Sequence, residues 1–205
     1  MTAEPTRAER RAKQAAQRAK KDALRRAMLS KMPKGGVCVE VGVWRAEFST
    51  ILMDVLSPKQ LYLIDPWAVQ DDAAGGASLA GAKDREKMDL IHDQVATKFA
   101  SEIADGAVTI IRDYSAPALA KFDDASIDFT YLDGDHSFEG VLADLDALFP
   151  KLKPGGVVML DDYHQKGWWG DGVIRALNTF VGKHPAHFRT KSIAGAQIAL
   201  EKIKA

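Results

Sequence analysis

The strongest constraint on the fold is a unit that repeats after Lys34: a short, β-branched apolar run, then a longer stretch whose apolar residues stand three or four apart. The runs are Val37–Val41, Leu61–Ile64, Val108–Ile111, Ile127–Leu132 and Val157–Leu160, and between them lie Phe48–Leu56, Asp84–Ile103, Phe138–Phe149 and Val173–Val181. Continuous apolar runs alternating with helical spacing predict strands buried on both faces and joined by helices. Right-handed crossovers then give an α/β architecture, a mostly parallel sheet with helices on both faces. After Pro185 the pattern changes, and Phe188–Ile193 and Gln197–Ile203 flanking Ala194-Gly195-Ala196 predict a C-terminal antiparallel hairpin.

A chain of 205 residues fits one domain that buries roughly 70% of the surface its unfolded form exposes, so neither a metal nor a disulfide is needed for stability. Cys38, the one cysteine, excludes an internal disulfide framework and suits a reducing, cytoplasmic compartment; in mid-strand it reads as core. No stretch approaches the roughly 20 apolar residues of a membrane span, and no apolar signal core opens the chain. Net charge is zero, yet residues 1–31 carry ten basic and three acidic residues. We read 1–31 as a basic, solvated helical extension that leads into the domain, with packing against its acidic remainder left open, and dispensable for the fold, and 32–205 as the functional domain. A nucleic-acid arm is the less favoured alternative, because clustered Lys and Arg are common on exposed helices. The sequence leaves a homo-oligomer open.

An α/β sheet binds ligands beyond the carboxyl ends of its strands, so the residues that follow each run matter most. The first run ends Glu40-Val41-Gly42-Val43-Trp44, where a carboxylate inside an apolar strand is costly unless partnered and Gly42 allows close backbone approach. A dinucleotide fingerprint needs three glycines at this turn, so a nicotinamide dehydrogenase is disfavoured. The second run ends Ile64-Asp65-Pro66-Trp67, an acid placed where nucleoside-binding folds hold ribose hydroxyls, with Trp67 an adenine cover or a core residue. The third closes on Arg112-Asp113-Tyr114-Ser115.

The fourth run closes on Asp133-Gly134-Asp135-His136 and the fifth on Asp161-Asp162-Tyr163-His164. Neighbouring strands stand about 4.8 Å apart, which brings Asp133 and one or both of Asp161 and Asp162 around one small volume, where three carboxylates would repel unless a cation sits among them. Oxygen ligands favour Mg²⁺, Mn²⁺ or Ca²⁺. The competing reading makes Asp135 and Asp162 turn or cap residues. His136, three residues after Asp133, suits a general base at neutral pH, with His164 a weaker candidate. Lys153-Pro154-Gly155-Gly156 reads as the turn into strand five, and Ala68–Lys83 and Tyr163–Asp171 as candidate lids.

Taken in order, Glu40-Val41-Gly42-Val43-Trp44, Ile64-Asp65-Pro66-Trp67, Leu132-Asp133-Gly134-Asp135-His136 and Lys153-Pro154-Gly155-Gly156 through Asp161-Asp162-Tyr163 resemble the class I S-adenosylmethionine-dependent methyltransferases. More narrowly, they look like the small-domain branch akin to sugar and antibiotic O-methyltransferases. The resemblance covers about Gly35–Val181 and implies a Rossmann-like, seven-stranded sheet whose last strand is antiparallel. It implies that Glu40 and Gly42 flank the methionine part of the cofactor, Asp65 holds the ribose, Asp113 and Ser115 lie near adenine, and Asp133 borders the methyl-transfer site. It also implies Mg²⁺ on Asp133, Asp161 and Asp162, as in metal-dependent relatives, and a small-molecule acceptor deprotonated by a nearby His or Asp. Trp44 and Ala46 stand where many relatives carry glycine. Two other readings remain: a noncatalytic S-adenosylmethionine- or nucleic-acid-binding protein, and an RNA methylase, which would favour aromatic or basic residues at a mouth that is acidic here.

Overall fold

A computed structural model describes residues 6–69 and 85–204. Its strands are β1 (Val37–Val41), β2 (Gln60–Ile64), β3 (Val108–Ile111), β4 (Ile127–Leu132), β5 (Leu152–Leu160), β6 (Phe188–Ala194) and β7 (Gln197–Lys202). They form one seven-stranded sheet in the order β3-β2-β1-β4-β5-β7-β6. The first five strands are parallel, and β7 pairs antiparallel with both β5 and β6. The helices are α1 (Arg7–Leu29), α2 (Glu47–Leu56), α3 (Arg85–Lys98), α4 (Ala100–Ala104), α5 (Ser115–Leu119), α6 (Phe138–Leu148) and α7 (Gly172–Lys183).

Period-2 alternation within the strands divides the core. Cys38, Leu61, Leu63, Phe129 and Tyr131 face α1, α2 and α3, whereas Val39, Val41, Ile64, Leu132 and Leu160 face α5, α6 and α7. The strand order runs outward from β1 through β2 to β3 and resumes on the other side at β4. This reversal opens a crevice at the carboxyl ends of β1 and β4. Backbone bonds pin the two loops there: Gly42 N–H donates to Ile64 O (3.0 Å) and Asp133 N–H to Val41 O (2.9 Å).

Three local readings differ from the sequence expectation. Lys153–Gly156 is not a turn into β5 but part of it, carried in a bulge, since Ile127 pairs with Leu152 and Phe129 already with Val157. The expected helix over 84–103 is interrupted, with α3 ending at Lys98 and α4 starting at Ala100. The short α5 was hidden by its length, because five residues show no period.

The extension begins as expected but ends differently. Thr6 and Glu9 form a capping box that opens α1. Its last two turns, however, bury Arg25, Met28 and Leu29, and Met32 follows them into the core. The large apolar residues of 1–31 cluster at its C-terminal end, so average composition concealed a docked face. Among the described residues no helix is long and apolar enough to cross a membrane. Candidate lid 68–83 lies largely outside the described residues.

Candidate functional site

The crevice between the β1 and β4 loops widens into a cleft of about 550 Å³, lined by Gly42, Trp44, Asp65, Ser115, Asp133, His136 and Asp162 among others. This volume is typical of a pocket for a molecule of cofactor size. Its β2–β3 end is walled by Ile64, Pro66, Met88, Tyr114 and Pro117, and its β4–β5 end is acidic.

Gly42 lies at φ +84°, and a Cβ there would stand 2.1 Å from the carbonyl oxygen of Asp133. No side chain fits that approach. Trp44 and Ala46, the two positions without the expected glycines, adopt φ of 51° and 55°, so the loop keeps left-handed backbone at both. Asp65 braces this loop, its carboxylate accepting the N–H groups of Trp44 (2.9 Å) and Trp67 (2.7 Å). Burial raises the Asp65 pKa against the pull of those amides. Trp67 is a core residue rather than an exposed cover, and its indole donates to the Trp44 carbonyl.

Glu40 does not line the cleft but lies buried behind it, and its Oε2 has no hydrogen-bond partner. Burial pushes its carboxyl up to about 8, and the charges of Asp133 and Asp65 add to the effect. An orphaned buried acceptor of this kind signals a missing positive or hydrogen-bonding group.

At the acidic end the structure brings Asp133, His136 and Asp162 together, their ligating atoms all within 4.8 Å of one another. His136 Nε2 stands 3.3 Å from Asp133 and 3.2 Å from Asp162, while its Nδ1 is buried without a partner. Burial alone would lower the imidazole pKa, but the three surrounding carboxylates outweigh it and raise it. The Asp133 carboxyl is pushed up to about 6, by burial first and then by Asp161. The Trp169 ring, from the 163–171 segment, lies over His136 with centroids 4.8 Å apart.

Asp161 is directed elsewhere. It is buried and accepts from Arg25 (2.6 Å) and Gln197 (3.2 Å), with Lys21 at 2.9 Å. Arg25 also donates to the Tyr131 hydroxyl (2.8 Å) and reaches Asp133 at 3.5 Å. Burial works to raise the Asp161 pKa, but Lys21 and Arg25 hold it well below the usual carboxylate range. Thus α1 supplies a cation to the back of the site. An arginine with apolar residues three and four positions later, Met28 and Leu29, was the available signal for a buried face.

Asp113 also turns away from the cleft, bonded to Lys121 (2.8 Å) and to the N–H of Tyr114. Ser115 remains in the cleft and donates to Asp144, a half-step that sequence reasoning missed. Asp144 occupies the apolar stripe of α6 formed by Val141, Leu145 and Leu148, where a carboxylate is unexpected. Burial pushes it up to about 6. His164 stands 3.4 Å from Asp162, on the side away from His136. Cys38 is buried in the core, where burial pushes its thiol up to about 12.

A family described as a methyltransferase domain matches residues 39–163. Solved structures with the same fold include the O-methyltransferase NovP, at 19% identity over 88% of this chain and 76% of that one, with a TM-score of 0.60. A Streptococcus mutans protein provisionally assigned as a methyltransferase, solved with S-adenosylhomocysteine, shares 14% identity over 88% and 96%, with a TM-score of 0.58. A Clostridium thermocellum protein provisionally assigned as an rRNA methylase shares 14% over 88% and 94%, with a TM-score of 0.61. No curated protein sequence matches the chain.

Proposed function

The chain belongs to the class I S-adenosylmethionine-dependent methyltransferases, and from that premise we propose that it methylates a hydroxyl oxygen of a small-molecule acceptor at the mouth formed by Asp133, His136 and Asp162. The observation that carries this reading is that one cleft joins this titratable cluster to Gly42 and Asp65. The cofactor fits the residues present: the β2–β3 end offers apolar walls for a flat base, Asp65 an acceptor for ribose hydroxyls, and Glu40 a buried carboxylate with one unpartnered oxygen behind the positively charged end. S-adenosylmethionine, when bound, would supply an electrophilic sulfonium methyl to which the acceptor oxygen bonds as the thioether sulfur of S-adenosylhomocysteine departs.

The protein's own contribution is positioning and proton transfer. His136 Nε2 takes the hydroxyl proton, and Asp133 and Asp162 hold the imidazolium that results. Trp169 over the ring keeps water from it. A divalent cation fits the same three residues as the alternative to that proton transfer: it would occupy the Nε2 lone pair and would itself acidify and orient the acceptor hydroxyl when bound. The imidazole makes this donor set more suited to Mn²⁺ than to Mg²⁺, because nitrogen is a softer ligand than carboxylate oxygen. Asp161, occupied by Arg25, is the weakest of the three acids for that role. The acidic mouth disfavours a nucleic-acid acceptor, and the unpaired thiol suits the cytoplasm.

The test is calorimetric titration with S-adenosylhomocysteine, followed by a screen of catechols, sugars and hydroxylated metabolites for its release from S-adenosylmethionine. Binding together with turnover of a hydroxyl acceptor supports the reading. Turnover confined to nitrogen or carbon acceptors, or to RNA, refutes it.

A further inference from the structure

His136 stands between two spaces. One is the cleft, where its Nε2 lies 3.3 Å from Asp133 and 3.2 Å from Asp162. The other is a small inner cavity of about 10 Å³ between the β4 and β5 ends and α6 and α7, lined by Gly134, Asp135, His136, Asp144, Asp161 and Val173 among others. That volume holds one water molecule. The second ring nitrogen, Nδ1, is buried and finds no hydrogen-bond partner among the described residues.

This placement sets a tautomer problem. A neutral imidazole carries its proton on the nitrogen that has the better acceptor. Asp133 and Asp162 alone would draw it to Nε2, leaving no lone pair at the mouth for a substrate proton or a cation. An acceptor on the Nδ1 side reverses that choice, and three acids wall the cavity. Asp161 is taken by Arg25, Lys21 and Gln197, and Asp135 by the N–H and hydroxyl of Ser137. Asp144, buried in the apolar stripe of α6, accepts the Ser115 hydroxyl on Oδ1, and no hydrogen bond reaches its Oδ2 among the described residues. A buried water needs at least two polar partners, and Nδ1 and Oδ2 offer it a donor and an acceptor.

We propose that the cavity is a water site in which one water accepts from His136 Nδ1–H and donates to Asp144, making Asp144 the positioning residue that keeps Nε2 bare towards the mouth. The assignment rests on the methyl-transfer reading and deepens it, since proton transfer and cation binding at this mouth both use the Nε2 lone pair. A carboxylate that orients a histidine through its far nitrogen is the usual partner of such a lone pair.

The test is histidine-nitrogen NMR of the full-length, isotope-labelled protein at a pH where the imidazole is neutral, with the His136 signals assigned by their loss in His136→Gln. Wild type should carry its ring proton on Nδ1. Asp144→Leu, which suits the apolar stripe, should move the proton to Nε2 and lower kcat by at least about tenfold with KM little changed. Asp144→Asn, whose amide oxygen still accepts from water, should restore the wild-type tautomer and most of the turnover. A crystal structure should show one ordered water within hydrogen-bond distance of both Nδ1 and Asp144, a measurement that stands even if Asp144→Leu does not fold. A proton on Nε2 in wild type, a tautomer unmoved by Asp144→Leu, or a dry cavity would overturn the assignment. The spectrum and the water need no acceptor, so an acceptor screen without turnover would count against the methyl-transfer reading alone.

Discussion

Replacing Arg25 by Met isolates what holds α1 to the domain. The guanidinium is the closest partner of Asp161, whose side chain is fully buried, and it also serves the Tyr131 hydroxyl. Removing one member of a buried pair typically costs about 3–5 kcal/mol, because the other charge stays behind uncompensated. Lys21, half-exposed at 2.9 Å, and Gln197 remain with Asp161, which places the expected loss near the lower figure, about 3 kcal/mol. For a chain of this length that corresponds to a fall in Tm of roughly 6–12 °C. Urea unfolding at pH 7.5 should show the lower midpoint at an unchanged slope, and Arg25→Met/Asp161→Asn should recover at least half of the loss. The pH dependence has a fixed sign. Asp161 is held low in the folded state, so its contribution is present above the unfolded carboxylate pKa of about 3.9 and fades below it. The gap between wild type and Arg25→Met should therefore begin to narrow below about pH 3.9 and close only as pH falls through the much lower folded-state pKa of Asp161. A loss under about 1 kcal/mol at pH 7.5, or a gap that is constant with pH, would refute the reasoning.

Glu40 is protonated when buried and ionised in the unfolded chain, so between about pH 4.5 and 8 it makes stability fall with rising pH. Glu40→Gln should flatten that slope and be more stable than wild type at pH 8, yet bind S-adenosylmethionine at least tenfold more weakly by calorimetry. Asp65→Ala should weaken S-adenosylhomocysteine binding by more than about 1.4 kcal/mol, or tenfold, whereas Asp113→Ala should leave it within twofold because Lys121 occupies that carboxylate. Crystals soaked in Mn²⁺ should show an anomalous peak among Asp133, His136 and Asp162 that Asp162→Asn removes and that weakens at low pH, where a proton competes for His136; persistence of the peak in Asp162→Asn would place the ion elsewhere. His136→Ala should lower turnover about 10²–10⁴-fold with cofactor affinity unchanged, and turnover within threefold of wild type would move the base to another group.

What the sequence displayed was whatever depends on local period. The five apolar runs and the hairpin are legible because alternation and helical spacing are properties of adjacent residues, and the acids at the strand ends follow once the sheet is drawn. What it concealed was orientation. Asp161 and Asp162 are neighbours in the chain, yet the strand pleat and the positive φ of Asp162 send one to Arg25 and the other to His136. Asp113 and Ser115 part company in the same way. Nothing in the segment 1–31 points to residue 161, since a contact across 136 positions leaves no local trace. Asp144 was visible in principle, as a charge within an apolar stripe.

The anchor of α1 draws on residues 21, 25, 131, 161 and 197, which span nearly the whole chain. Such a junction closes late. During synthesis the helix emerges first, but the carboxylate it docks against appears some 136 residues afterwards, and Gln197 later still. Until then Met28, Leu29 and Met32 have no partner strand to cover and stay open to wrong ones. High sequence separation also slows the search for the closed state, because the loop entropy must be met before the contact rewards it. The slow step of folding should accordingly be the docking of the first helix onto a sheet completed by the last strand. Chains cut short before Gln197 should expose α1 to proteolysis even where β1 to β5 have formed.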